Sequence, residues 1–456
     1  MKDVDVVVVG AGIAGLTAAW QLRDLDTLVL ETDDRVGGRI KSVERGSHWV
    51  SVGAHMFPGE GSLLWGLLEE LALEPVRIRG SLLGIAQRGK VVTGGRAETF
   101  PLRLPLNPAA RVSLARTGLR IKRDAARYNE LARTREGETS SDVRHRLLGF
   151  LDDRTWAEYI GAVHPQVEAI FRATANRLTA EPDEVAAGCM VGLFAHVWEA
   201  GGVVLGYNLR SGPSSLPEEL TRRLGEHVVT GAHVTRVTRG PEGVRVHFRR
   251  GDREDEVAAR CAIVTAPAPV AREIVADLPA ETAAALEAVV YGPFIVGGIL
   301  TGETRAMPWD DIYSVLTVDT SFNMLFNHAN ALRRPGRPRE TGGALMVYGG
   351  ADRARRLFEK RDDEIEATIV EDLCRLYPDA RGIVREVIVQ RWERAIPFAA
   401  PGRSRVQAAL ERGVDDVVFF AGDYVGEWTH MEAAVVTAAE AAAAARARVA
   451  ATPAAG

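Results

Sequence analysis

The stretch that decides the fold is VDVVVVGAGIAGLTAAWQL, from Val4 to Leu22. It opens with a continuous run of apolar, β-branched residues, as expected for a strand that is buried on both faces of a parallel sheet. Three glycines follow with the spacing G-x-G-x-x-G, and a helical apolar pattern comes after them. Strand, glycine turn and helix in this order predict the first unit of an α/β domain that binds a dinucleotide.

Each glycine of this turn has its own physical role. Gly10 permits the tight turn, Gly12 lets backbone N–H groups approach a pyrophosphate, and Gly15 lets the helix pack close to the strand. The N-terminus of the helix adds partial positive charge. The predicted cofactor contacts of the turn are Gly10, Gly12, Ile13, Ala14 and Gly15.

A second predicted strand, TLVLE, ends in an acid. Its last residue, Glu31, lies about 20 positions after Gly10, the distance at which a carboxylate can bond a ribose hydroxyl. An acid at this position favours an adenosine ribose without a 2′-phosphate, since a second negative charge would be repelled. The sequence therefore predicts FAD or NAD rather than NADP.

The residues after this strand separate FAD from NAD. ETDDRVGGRI, which begins at Glu31, has the form E-x-x-x-R-x-G-G-R. Here the sequence resembles the flavin-containing amine oxidase superfamily, which also includes protoporphyrinogen oxidases and plant-type phytoene desaturases. The resemblance implies an FAD whose pyrophosphate lies along Arg39, and Gly38 lets the chain pass close to it.

The resemblance recurs in segments that are far apart in the chain. It places GAHM beside the flavin ring and FAGD beside the pyrophosphate and the ribityl chain, and it aims the start of a helix at the N1/C2=O edge of the ring. Negative charge develops at that edge when the flavin is reduced, and a helix N-terminus stabilises an anion. The FAD contacts implied in these segments, in the return segment before residue 250 and in RWERAIPFAAPG, are Gly53, Ala54, His55, Met56, Val234, Trp392, Gly422, Asp423 and Met431.

The resemblance also implies the architecture. We expect an α/β fold in which a discontinuous Rossmann-type FAD-binding domain is joined to an α+β substrate-binding domain, as in amine oxidases. A chain of 456 residues is long enough for two such lobes. The predicted division is 1–75, 205–270 and 388–446 for the FAD-binding domain, 76–204 and 271–387 for the substrate-binding domain, and 447–456 for a frayed tail.

The net charge and the cysteine content limit which binding partners we expect. A net charge of −5 gives no reason to expect nucleic-acid binding. The three cysteines are far apart and outside the segments where the family attaches flavin through cysteine, so we expect non-covalent FAD and no metal site.

Without a signal-peptide pattern or an apolar run long enough to span a bilayer, the expected location is the cytoplasm, with no transmembrane anchor. The basic stretch 111–127 is either a solvated helix face, the favoured interpretation, or a weak peripheral membrane contact.

Two features bear on the chemistry. The predicted strand 289–300 contains no lysine, whereas many amine oxidases of the family carry one there that assists the reaction with oxygen. His430 stands where those enzymes often have a tyrosine, and we predict that it is the catalytic residue, either as a general base or as a hydrogen-bonding wall of the pocket. Phe398 and Tyr348 are the predicted substrate-pocket residues.

The predicted function is that of an FAD-dependent oxidoreductase. Such an enzyme would take a hydride from a C–N or C–C bond of a mainly apolar small molecule, as an amine oxidase or a desaturase does, and pass the electrons to oxygen or another acceptor. Secondary metabolism is one setting for such a substrate. The alternative is a flavin-dependent isomerase or non-redox cyclase, because folds of this group also host reactions with no net redox change.

Overall fold

The computed structural model of the protein describes residues 2–198, 205–333, 338–427 and 429–451. The strands are β1 (Lys2–Val9), β2 (Thr27–Leu30), β3 (Ser42–Arg45), β4 (His48–Ser51), β5 (Pro75–Arg77), β6 (Gly84–Gln87), β7 (Lys90–Thr93), β8 (Tyr207–Leu209), β9 (Val228–Val229), β10 (His233–Gly240), β11 (Gly243–Arg250), β12 (Arg253–Val264), β13 (Val290–Thr301), β14 (Ser314–Thr317), β15 (Met324–Asn327), β16 (Gly343–Gly350), β17 (Val384–Phe398) and β18 (Val418–Phe420). The helices are α1 (Ile13–Gln21), α2 (Leu63–Glu70), α3 (Phe100–Arg103), α4 (Pro108–Leu131), α5 (Ser140–Leu148), α6 (Trp156–Ile160), α7 (Pro165–Ala175), α8 (Ala187–Trp198), α9 (Ser215–Leu224), α10 (Ala268–Ile274), α11 (Ala280–Glu287), α12 (Ala329–Leu332), α13 (Asp352–Phe358), α14 (Asp362–Leu376), α15 (Gln407–Arg412) and α16 (Met431–Ala451).

The first seven-stranded sheet is built around the N-terminal strand. β1 pairs in parallel with β2 on one side and with β12 on the other, and β18 also pairs in parallel with β12. The sheet continues as β10-β11-β12-β1-β2-β9. The valines at positions 6–9 are all buried, as their continuous apolar run predicts. Strands from all three segments predicted for FAD binding lie in this one sheet.

Helices α1 and α16 pack together against this sheet. Leu16 and Ala19 of α1 share one buried apolar cluster with Ala438 and Ala442 of α16. The close approach of α1 to its own strand depends on Gly15, because a Cβ at that position would lie 1.9 Å from the carbonyl oxygen of residue 10. The small side chains of the alanine-rich C-terminal helix thus join the two ends of the chain in one core.

The second seven-stranded sheet has the order β17-β13-β16-β15-β14-β6-β7. Alternate residues of β13 face opposite sides of it, as strand geometry requires. Phe294 and Val296 pack in the cluster that contains α4, α7 and α8, whereas Ile295 and Ile299 pack against α14. This sheet with helices on both faces, beside the first sheet with α1 and α16, gives the α/β architecture that the sequence predicted.

The strands of each seven-stranded sheet come from the segments predicted for one domain, with the exception of β17. The domain boundaries themselves stay a prediction. β17 pairs with β13 over residues 384–398, although the prediction placed residues from 388 onward with the FAD-binding segments. The C-terminal helix extends to Ala451, so the part of the predicted frayed tail that is described, 447–451, is helical. Among the described residues, no helix is both long and apolar enough to cross a bilayer.

Candidate active site

The turn after β1 leaves open space at one of its three glycines. Gly10 has a φ of +101°, which favours glycine, and Gly15 is confined by the backbone of Gly10. Gly12 has an ordinary φ of −70°, and a Cβ built on it would meet no atom within 4 Å. The fold itself does not need glycine at position 12. The space that its missing side chain preserves therefore fits a diphosphate held against the backbone.

Helix α1 begins at Ile13, and its N-cap residue Gly12 has no side chain that could accept a hydrogen bond. The backbone N–H groups of the first turn, including those of Ile13 and Ala14, can therefore bind an anion. Glu31 holds the turn to the end of β2: its Oε2 accepts from the N–H of Ala11 at 2.6 Å and its Oε1 from that of Asp33 at 2.9 Å. Burial raises the pKa of Glu31, against the effect of these two donors. The glycine turn and the predicted ribose acid are therefore in direct contact.

The backbone of β2 also contacts the segment that leads to the predicted adenine neighbour. The N–H of Ala232 donates to the carbonyl oxygen of Glu31 at 2.7 Å, and the N–H of Glu31 donates to the carbonyl oxygen of Val229 at 2.9 Å. Val234, two residues further along, is buried at the start of β10. The structure thus brings Val234 to the same end of β2 as the acid.

Arg39 joins the two ends of the chain. Its guanidinium donates to both oxygens of Asp423, at 2.8 and 2.6 Å, and to the carbonyl oxygen of Ala395 at 2.9 Å. Burial alone would lower the pKa of Arg39, but the Asp423 carboxylate raises it above its ordinary value. The N–H of Ala54 bonds the carbonyl oxygen of Arg39, and a Cβ on Gly53 would lie 2.2 Å from that oxygen. Three distant predicted segments therefore meet here.

Partial exposure separates the predicted contacts into two groups. Some keep accessible surface, as a group that contacts a bound ligand must. This group is Gly10, Gly12, Glu31, Gly38, Arg39, Gly53, Ala54, Met56, Trp392 and His430. The buried group is Ile13, Ala14, Gly15, His55, Val234, Gly422, Asp423 and Met431.

His430 caps the C-terminal helix. Helix α16 starts at Met431, as predicted, and the N–H of Ala433 donates to Nδ1 of His430 at 3.0 Å. A neutral imidazole whose Nδ1 accepts carries its proton on Nε2, so this arrangement makes the ring a donor and not a base. Both oxygens of Glu432 accept backbone N–H groups at the start of α2, at 2.8 and 2.9 Å, which fixes the position of the helix start.

His55 belongs to a buried aromatic cluster. Its ring meets those of Phe326 and His328 edge-on, with centroids 4.6 and 4.7 Å apart. Burial lowers the pKa of His55 to about 4 and that of His328 well below its ordinary value. Nδ1 of His55 donates to the carbonyl oxygen of Gly53 at 3.1 Å, and Nδ1 of His328 accepts from the N–H of Ser51 at 3.2 Å. Both rings are therefore neutral near physiological pH, and sequence reasoning missed the contact between them.

Tyr348 lies on the second sheet and extends this aromatic cluster. We call Phe294, Phe326 and Tyr348 the aromatic wall. The ring centroid of Tyr348 lies 4.5 Å from that of Phe294 and 5.7 Å from that of Phe326. The positive charge of the Arg177 guanidinium acts on the Tyr348 hydroxyl and lowers the pKa of that hydroxyl. Burial raises the pKa of Tyr348, so the hydroxyl stays protonated. Sequence reasoning also missed Arg177, which lies in no recognisable motif.

The two remaining predicted residues lie on β17. Trp392 donates from Nε1 to the carbonyl oxygen of Val52 at 2.7 Å, and it stands opposite Phe294 on β13. Phe398 is buried and lines a cavity of about 20 Å³ together with Leu178 and Asp423. Phe398 thus faces a small cavity beside the Asp423 loop, whereas Tyr348 belongs to the aromatic wall.

Comparisons with known proteins identify the family of the chain. The family model described as flavin-containing amine oxidoreductase matches residues 13–446. A coproporphyrinogen III oxidase of Mycobacterium tuberculosis is 26% identical over 440 residues, which cover 92% of each chain. The chloroplastic protoporphyrinogen oxidase of Oryza sativa subsp. japonica is 23% identical and covers 93% of this chain and 84% of its own. Among solved structures, putrescine oxidase bound to putrescine superposes with a TM-score of 0.76 at 21% identity, covering 97% of this chain and 98% of its own.

Proposed function

The chain belongs to the flavin-containing amine oxidoreductase family, and on that premise we propose that it oxidises a mainly apolar, ring-containing molecule rather than a simple alkylamine. The chain is an FAD-dependent oxidoreductase that acts on a C–N or C–C bond. The proposal concerns which molecule carries that bond. The comparisons lend no support to the isomerase alternative.

The main support for the proposal is the set of residues that form the aromatic wall. The rings of Phe294 and Phe326 each lie against that of Tyr348, and the charged group that acts on the Tyr348 hydroxyl is a cation, Arg177. An alkylamine bound as its ammonium ion would be repelled by this guanidinium and would gain no carboxylate partner from the wall residues. A ring-containing molecule with a large apolar surface would bury that surface against the aromatic rings.

The relatives that match along most of the chain support the same choice. By their names, the Mycobacterium and Oryza proteins act on porphyrinogens, which are large cyclic molecules. Strand β13 has Phe294 and glycines but no lysine over Val290–Thr301. We take a porphyrinogen as the first representative of the proposed substrate class.

Several residues of the chain would support this reaction. Bound FAD supplies the hydride acceptor. Gly12 and the first turn of α1 would hold its diphosphate, and the pair of Arg39 with Asp423 would keep that region close to neutral. The start of α16 would favour negative charge near it. His430 would donate a hydrogen bond from Nε2, and the aromatic wall would exclude water.

We also propose the cytoplasm as the setting. Cys189, Cys261 and Cys374 are free thiols, as a reducing compartment keeps them. The electrons would pass to oxygen or to another acceptor. The lack of a lysine on β13 favours another acceptor over a fast reaction with oxygen.

Anaerobic reduction of the holoenzyme tests the proposed function. We expect a porphyrinogen to bleach the flavin persistently, while putrescine and hexylamine, which have no ring, leave it oxidised at the same concentration, because only the cyclic molecule matches the aromatic wall. Admitting air afterwards measures the reaction with oxygen. Bleaching by the amines alone would overturn the proposal. Turnover without net consumption of an acceptor would point to the isomerase.

A second proposal concerns the membrane. Leu102 of α3 is 73% exposed, and Val112 and Leu119 of α4 are each 68% exposed. On α4, Val112, Arg116, Leu119 and Arg123 share one helix face, and both arginines are exposed. We propose that this face makes a weak contact with anionic lipid, because apolar side chains flanked by arginines suit both the acyl boundary and the charged headgroups.

Vesicle flotation tests this contact. We expect the protein to float with vesicles that contain phosphatidylglycerol at low salt, to stay down with neutral vesicles, and to be released by high salt, since each arginine near the surface contributes about 1 kcal/mol. The double variant Val112→Asp and Leu119→Asp should lose flotation. Each single variant, Val112→Asp or Leu119→Asp, should weaken flotation, and its matched control is Leu82→Asp, which adds the same single charge at a leucine that is 41% exposed outside this face. Equal flotation of the single variants and this control would refute the contact.

A further inference from the structure

Residues 422–426 form a turn after β18, which we call the Asp423 turn. The carboxylate of Asp423 accepts two hydrogen bonds from Arg39, at 2.8 and 2.6 Å. The carbonyl oxygen of the next residue, Tyr424, accepts from Nη2 of Arg403 at 2.7 Å. Arg403 and Asp423 also line the same cavity of about 20 Å³. One arginine therefore bonds the side chain of Asp423, and a different arginine bonds the backbone directly after it.

Gln407 adds a second bond to the backbone of the Asp423 turn. Its Nε2 donates to the carbonyl oxygen of Val425 at 2.6 Å and to Oε1 of Glu411 at 2.7 Å. Both partners are acceptors, so the amide nitrogen and not the amide oxygen of Gln407 faces them. Glu411 in turn accepts from Nη1 of the buried Arg144 at 2.8 Å. A continuous set of hydrogen bonds thus runs from helix α5, which carries Arg144, to the Asp423 turn.

Both donors act where water does not reach. Arg403 is 6% exposed, Gln407 is fully buried, and so are Tyr424 and Val425, whose carbonyl oxygens they bond. Burial lowers the pKa of Arg403 to about 10, so its guanidinium stays charged at neutral pH. A buried carbonyl oxygen that loses its donor is costly, so the turn would shift if either side chain were removed.

We propose that Arg403 and Gln407 are positioning residues for FAD. They hold the two peptide groups directly after Asp423 and thereby keep that residue in the orientation that binds the cofactor, although neither is itself a predicted cofactor contact. A turn that is fixed in advance need not be ordered when the ligand binds, which favours binding. The inference rests on the predicted role of Asp423 at the cofactor and is independent of which substrate the enzyme takes.

A dilution series of the holoenzyme, in which released FAD is measured by its fluorescence well below the unfolding temperature, tests this role. We expect Arg403→Met to weaken FAD binding about 10-fold, because the turn must then be ordered when the cofactor binds. Gln407→Met, which removes the donor and keeps the length of the side chain, should weaken it about 3- to 10-fold. Arg403→Lys, which keeps the charge and a donor for the Tyr424 carbonyl oxygen, should recover most of the affinity.

The matched control is Arg353→Met. The Arg353 guanidinium also donates to two backbone carbonyl oxygens, those of Val318 and Thr320, and burial lowers its pKa too. It lies outside the segments predicted for FAD binding. The control should therefore lose thermal stability, as Arg403→Met does, and keep the FAD affinity of the unmodified protein.

Unchanged FAD affinity in Arg403→Met would overturn the proposal, and so would an equal loss of affinity in Arg353→Met. A loss in Arg403→Lys as large as that in Arg403→Met would also overturn it, since lysine keeps the donor. If Arg403→Met does not fold, Gln407→Met decides, because a loss of affinity supports the role and an unchanged affinity contradicts it. The series uses no substrate, so its result does not depend on whether a porphyrinogen reduces the flavin.

Discussion

Gly12→Asp is expected to fold normally and to purify without FAD. A side chain at position 12 would meet no protein atom within 4 Å, and the φ of −70° suits any L-residue. The added carboxylate would instead occupy the space that we assign to the diphosphate. Two like charges about 4 Å apart repel by about 4 kcal/mol at an effective dielectric constant near 20, which corresponds to a loss of FAD affinity of about 1000-fold.

The measurement is the ratio of flavin to protein absorbance after purification and after incubation with excess FAD. The matched control is Gly240→Asp, because Gly240 also has no neighbour for a Cβ and lies exposed at the end of β10. The control should stay yellow, and both variants should unfold at similar temperatures. A stoichiometrically loaded Gly12→Asp protein would remove the glycine turn from the cofactor site.

Position 39 gives a less specific test of the same site. Arg39→Glu would place a second carboxylate against Asp423, which is 7% exposed, and would also break the bond to Ala395. Breaking a fully buried ion pair by removing one partner costs about 3–5 kcal/mol, and the cost here is smaller because the Arg39 side chain is 36% exposed. Such a variant would lose stability and FAD together, whereas Gly12→Asp separates the two effects.

The sequence predicted the parts of the site that local patterns encode. The strand, the glycine turn and the helix start at Met431 each depend on a short run of residues, because turn and helix geometry depend on neighbours in the chain. The bond of Ala11 to Glu31 also follows from one βα unit, since the acid ends the strand beside the turn. For the same reason, the pairing of β1 with β2 was predictable.

The parts that were not predicted depend on contacts between distant segments. His55 and His328 meet because β4 and its following loop pack against the second sheet, and nothing in either local sequence specifies that contact. Arg177 becomes notable only once its turn lies against Tyr348. The membership of β17 in the second sheet is set by its pairing with β13, which no short pattern records. Burial and pairing of this kind are properties of the tertiary fold.

The protonation state of His430 also could not be predicted from the sequence. It leads to a second prediction, a large effect of His430 on the rate of flavin reduction. Only the position of the Ala433 N–H shows that Nδ1 is occupied, and hence that Nε2 carries the proton. If the Nε2–H of His430 donates to the reacting molecule, removing the ring should slow anaerobic flavin reduction by about 100-fold. This is the lower end of what a positioned proton donor contributes. The retention of FAD should be unaffected, because the glycine turn and Arg39 lie elsewhere.

Two substitutions separate this role from helix capping. His430→Ala removes both the ring and the cap and should also cost about 1 kcal/mol of stability, whereas His430→Asn keeps a side-chain acceptor for the helix. If Nε2 acts in the reaction, both variants reduce the flavin about 100-fold more slowly in stopped-flow mixing, and only His430→Ala unfolds at a lower temperature. If the helix start alone matters, His430→Asn restores the rate and His430 leaves the list of catalytic residues. Because the two variants differ in the cap and share the loss of the ring, their ratio of rates assigns the role directly.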